Sequence, residues 1–195
     1  MRTMLMIAAV ACAAPASVQD KPRPDDRPPW SALTSPSAAL KVAFEEVCLP
    51  AVVDNQPVET LAVQRHLISV SPKLAGFSGD VKVWRLASLG PVYVAAWGDG
   101  TCSATSQRGD PEALKRQVLA AVAARGLTLA PGRAVDAQAD GINQAFCGSP
   151  PQPVVVSIIT PANKQSRRGA IFINLFRAKG ERPSFCGPEL GETPR

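Results

Sequence analysis

Apolar residues between positions 36 and 48 fall at Leu40, Phe44, Val47 and Cys48, spacings that form one stripe along a helix. Ser35 and Pro36 stand where an N-cap and a first helical residue belong. Pro50 is expected to close this helix, leaving Cys48 facing the core from its last turn. A second, shorter helix is read over 57–66, with Val58, Leu61 and Ala62 inward. The period then drops to two. Over Lys82–Ser88, Trp84 and Leu86 share one face, while Val81, Val83 and Arg85 share the other. After a turn at Ser88–Pro91 come Val92–Trp97, nearly all apolar, the turn Gly98-Asp99-Gly100, and a strand Thr101–Ser106. The helical period returns after Asp110-Pro111-Glu112, with Leu114, Val118, Ala121 and Val122 as the buried stripe and Gly126 as the stop. One strand is read within Ala134–Phe146, and two strong strands at Val154–Thr160 and Ala170–Phe176.

Neighbouring runs of strands with few helices between them favour an α+β fold. The expectation is an antiparallel sheet of five or six strands with helices packed on one face. The two strand groups on either side of the central helix hint at an internal duplication, although no repeated motif carries it.

The first twenty residues change the picture from fold to location. In "MRTMLMIAAVACAAPASVQD", Arg2 precedes an uncharged apolar run from Met4 to Ala14, and Ala14-Pro15-Ala16 offers small residues to a signal peptidase. Residues 1–16 are read as an export signal cleaved after Ala16. Ala9-Val10-Ala11-Cys12 is the alternative, a poor lipobox that would leave the protein lipid-anchored at Cys12. Residues 17–35 are a Pro-rich spacer, 36–187 a single domain, and 188–195 a C-terminal tail. No apolar run in the mature chain approaches the roughly 20 residues of a membrane span.

Four cysteines remain after cleavage: Cys48, Cys102, Cys147 and Cys186. An even number in an exported chain implies a stapled domain, periplasmic or secreted, with three possible pairings. Cys48 and Cys102 both face inward by periodicity, and Cys147 and Cys186 border the C-terminal strand pair. The favoured pairing is therefore Cys48–Cys102 with Cys147–Cys186.

Catalytic chemistry finds little to work with. A thiol or hydrolytic centre would have to be built from Cys102 and His66, the one histidine. Asp99 alone cannot hold calcium in the turn "WGDGTC". No Cys-x-x-Cys or His-x-x-x-His pair suggests zinc, and no cofactor motif is present. Asp136, Asp140 and Asn143 are read as a loop or a helix cap. Charge is the stronger signal. Cleavage would remove Arg2 and no acid, leaving 20 basic and 16 acidic residues, a net +4 too mild to imply nucleic acid. Six of the bases, Lys164, Arg167, Arg168, Arg177, Lys179 and Arg182, crowd the last strand pair and are opposed there only by Glu181. They are candidate contacts for an anionic partner such as an envelope surface or another envelope protein.

The pieces "FEEVCLPAV", "VWR", "GDGTCSA" and "GDPEAL" resemble those of a scattered group of small exported proteobacterial proteins without assigned function, over about residues 40–177. In that group the helix cysteine and the cysteine after the turn recur together, so the resemblance implies Cys48–Cys102. It implies no activity and transfers no catalytic residue. The functional expectation is an exported binding or interaction module without a recognisable catalytic site. The alternatives are an enzyme around Cys102 and His66, or an inhibitor-type partner of a secreted enzyme.

Overall fold

Helix α1 (Pro36–Ala43) starts where the Ser35 hydroxyl accepts the Ala38 N–H at 3.1 Å. Pro50 does not end the helix. The turn before it, Phe44–Cys48, widens into a π-helix, and α2 (Leu49–Val53) continues the run. Proline has no N–H to give and its ring crowds the carbonyl four residues back, so one wide turn absorbs it where a regular helix would break. The Leu49 N–H accordingly reaches the Phe44 carbonyl, five residues back. Helix α3 (Val58–Gln64) buries Leu61 and Ala62. Helix α4 (Pro111–Ala124) is capped by Asp110, whose carboxylate accepts from Glu112 and Ala113, and it buries Leu114, Val118 and Val122.

This computed structural model describes residues 35–86, 92–137, 141–149, 153–161, 171–180 and 183–186. The leader 1–16 with Cys12, most of the spacer, the Ser88–Pro91 turn, Asp140, and Lys164, Arg167, Arg168 and Arg182 with the 188–195 tail lie outside them.

The strands are β1 (Ile68–Val70), β2 (Val81–Arg85), β3 (Val92–Trp97), β4 (Cys102–Ser106), β5 (Leu129–Ala137), β6 (Gly141–Gly148), β7 (Val154–Pro161) and β8 (Ile171–Arg177). They form one antiparallel sheet in the order β1-β2-β3-β4-β8-β7-β6-β5. Eight strands replace the expected five or six for two reasons. Strand β1 has only three residues, too few to show alternation. The region read as one strand is the hairpin β5–β6, with Asp136 opposite Ile142 and Asn143 opposite Val135, not a loop or helix cap. Pro131 and Gly132 disguise β5; they are tolerated because it is an edge strand whose register shifts between Pro131 and Ala134.

Each group of four strands is an up-and-down run that follows a helix, and the last strands of the two groups, β4 and β8, pair at the centre. The chain thus makes two α-then-four-strand halves facing each other head to head. The main core lies between helices and sheet. It joins Leu40, Phe44, Val47, Leu114 and Val118 to Trp84, Val94, Ala104, Ile173, Leu175, Val156 and Ile158. Burying each large side chain of this set contributes about 2 kcal/mol.

Two disulfides brace these layers. Cys48–Cys102 ties the π-turn to β4 under the helices, and Cys147–Cys186 ties β6 to the 3-10 turn Ser184–Cys186 on the opposite face. All four cysteines are buried.

Candidate binding face

The helices cover one face of the sheet. On the other, the described residues place two short 3-10 turns, one toward each side. Pro72–Ala75 and the following Phe77 pack over β2 and β3, in a cluster with Val81, Val83, Ala95, Tyr93 and Trp97. At the other side Phe185 and Cys186 pack with Ala145, Cys147, Val155 and Phe176. Between these covers run the central strands, and register decides what they show.

Val83, Ala95, Ser103, Asn174, Ser157 and Ala145 are successive partners across six strands and share this second face. The next row is Arg85, Tyr93, Thr105, Phe172, Ile159 and Asn143. Three adjacent central strands therefore each place a polar side chain mid-strand: Ser103 on β4, Asn174 on β8 and Ser157 on β7. The Ser157 hydroxyl donates to Asn143 Oδ1 at 2.7 Å. Thr105 donates to the Ile171 carbonyl at 2.9 Å. The Ser103 hydroxyl is fully buried and has no hydrogen-bond partner among the described residues. The half-buried Asn174 carboxamide finds none among the described residues. Leaving a buried hydroxyl unpaired costs about 1–3 kcal/mol, so such groups call for a reason.

Aromatic rings stand over this polar row. The Phe77 centroid lies 5.8 Å from Trp97 and 6.2 Å from Phe172, edge-on to both. Trp97 is on β3 one row to one side of Ser103 and Phe172 is on β8 one row to the other, so the bridging ring crosses above β4. Nothing in composition or motif announces this face. Its sequence signal is a polar residue between apolar neighbours in each of three strands, in "CSA", "INL" and "VSI".

Cys102 and His66, the residues from which a thiol centre would be built, have separate structural roles. Cys102 is bonded to Cys48 at 1% exposure, and a sulfur in that bond is not a nucleophile. His66 is exposed at the C-terminus of α3, at φ 54°. There it closes a Schellman turn: its N–H meets the Val63 carbonyl and the Leu67 N–H meets Ala62. Among the described residues no group of three or more His, Cys, Asp or Glu is placed to hold a metal ion, and no helix is long and apolar enough to cross a membrane.

The turn "WGDGTC" is a hairpin with a three-residue loop. Trp97 N–H meets the Thr101 carbonyl at 3.0 Å, Gly100 takes the left-handed position at φ 91°, and Asp99 stays at negative φ. Asp99 Oδ1 accepts the Thr101 N–H at 2.8 Å. That bond, helped by Lys179 nearby, holds its carboxyl below the ordinary aspartate range against a weaker opposing effect of burial.

Of the basic run, Arg177 and Lys179 lie among the described residues. Residues 162–170, with Lys164, Arg167 and Arg168, connect β7 to β8 at the Ser106–Ile171 end of the sheet, where the exposed Arg108 follows β4. Arg177 closes β8 at the opposite end, about 20 Å away at 3.3 Å per residue. Its guanidinium is committed to structure: Nε donates to the Val52 carbonyl at 2.8 Å and an Nη to Val53 at 2.7 Å, capping α2. Lys179 donates to the Asp99 carbonyl at 2.7 Å. None of the known protein-family models, curated proteins or solved structures matches the chain, and the resemblance of its short motifs rests on those motifs alone.

Proposed function

We propose that the chain is an exported, disulfide-braced binding module that takes its partner on the sheet face opposite the helices. The single observation behind the binding role is the polar row Ser103–Asn174–Ser157, with a buried hydroxyl unpartnered among the described residues, lying between aromatic side chains at mid-sheet. Pockets that bind small molecules combine apolar and aromatic walls with a few placed polar groups, and this strip has that composition. Export is supported by the two disulfides, since such bonds persist in oxidising compartments, and by the leader-like first sixteen residues. The test is a fragment-library titration followed in 1H–15N spectra. Shifted amides on β4, β7 and β8 that report the strip are expected. A library that shifts none of them, or only amides of α1–α4, overturns the reading.

A second reading is favoured by the position of Arg108. It stands at the sheet end whose β7–β8 connection carries Lys164, Arg167 and Arg168, so an anionic envelope surface would meet that end. Replacing Lys164, Arg167 and Arg168 together by Ala should abolish salt-sensitive binding to phosphatidylglycerol vesicles; an unchanged signal ends this reading.

A further inference from the structure

We infer that the ligand of the second sheet face is a neutral sugar ring, seated over Asn174 and walled by Phe77, Phe172 and Trp97; the inference rests on the far-face reading above. Charge narrows the chemistry first. In the two central rows the only formal charge is Arg85, exposed on β2 and three strands from Asn174. Among the described residues, a phosphate or carboxylate ligand would find no cation in the polar row, and a cationic ligand no carboxylate.

Hydrogen bonding narrows it further. The Asn174 carboxamide offers two donors and an acceptor, and the Ser103 hydroxyl offers both roles. Asn143 has its oxygen occupied by Ser157, which leaves its NH2 to donate. A purely apolar ligand would leave these groups desolvated and unpaired, which is unfavourable. A pyranose carries the matching pair of surfaces: a rim of hydroxyls that each donate and accept, and a flat C–H face that packs on aromatic rings.

Phe77 governs access. It lies in the loop between Gly76 and Gly79, and its ring bridges Trp97 and Phe172 above β4. A turn of that ring would open room above β4 for a sugar hydroxyl to reach Ser103, with Phe172 and Trp97 as walls.

The full mature chain is titrated calorimetrically with maltotriose, cellotriose and chitotriose, and with decanoate as an apolar comparator. At least one trisaccharide is expected to bind saturably in the millimolar range or tighter, independent of salt. Asn174→Ala should weaken it about tenfold, the effect of losing one or two hydrogen bonds. Ser103→Ala supplies an independent check: its hydroxyl has no partner among the described residues, so thermal stability should hold while affinity falls. No saturable binding by any of the three sugars, binding by decanoate alone, or sugar binding unaltered in both variants overturns the inference. If fragments still shift the strip amides while the sugars do not bind, the face stands as a binding site and only the sugar assignment falls.

Discussion

Removing the Cys48–Cys102 bond, by replacing both residues with Ala, tests how far oxidation holds the helices to the sheet. The bond closes a sequence separation of 54 residues, for which chain entropy gives about 4 kcal/mol. Both residues are buried where the π-turn meets β4, so deleting the two sulfurs also removes packed volume and adds to the loss. A domain of this size has about 5–15 kcal/mol in total, so the variant should lose from about a quarter to most of it. With a urea slope of about 2 kcal/mol per M, the midpoint should fall by about 2 M. The assay is equilibrium urea unfolding of the oxidised protein and the variant, followed by tryptophan fluorescence and far-ultraviolet dichroism. Cys147–Cys186 closes 39 residues, and the same model assigns it nearly the same figure. Its double Ala variant lacks only the anchor of a short turn, so the first variant should be the less stable of the two. A midpoint within about 0.5 M of wild type for Cys48→Ala/Cys102→Ala would refute the idea that oxidation holds helices to sheet.

Arg177→Ala should destabilise by about 2 kcal/mol, because two charge-assisted bonds to the last carbonyls of α2 are lost; a urea midpoint unchanged within error would contradict the capping role. His66→Gly should stabilise by about 1 kcal/mol, since the Schellman position at φ 54° penalises a Cβ, and α4 already uses Gly126 at the equivalent place at φ 74°. A lower melting temperature for that variant would show that the imidazole itself contributes. Asp99 has a depressed carboxyl pKa in the folded state. Its contribution to stability is therefore present above the ordinary aspartate pKa and disappears as pH falls through the lowered folded value. Asp99→Ala should accordingly flatten the acid limb of the stability–pH curve, and a limb identical to wild type would dismiss the Thr101 bond as its cause.

The helices and most strands were legible because their signals are local. A cap such as Ser35 or Asp110 acts within three residues, and the stripe Leu114–Val118–Val122 repeats every turn. Pro50 misled because a rule about regular helices does not anticipate a π-turn that accommodates the ring. β5 was hidden by Pro131 and Gly132, which read as loop until the strand is known to lie at an edge.

By itself the sequence determined which residues alternate, which caps start the helices, which cysteines turn inward and that charge gathers near the C-terminus. Only the tertiary structure decided that β4 pairs with β8, and with it two functional facts. The pairing sets Ser103 of the first strand group beside Asn174 and, through it, in line with Ser157 of the second, and it puts Arg177 and Ile171 at opposite ends of β8 against Cys102–Ser106. The physical reason is range. Periodicity and capping act over a few residues, whereas strand order and register are fixed by packing between segments about seventy residues apart, such as Ser103 and Asn174.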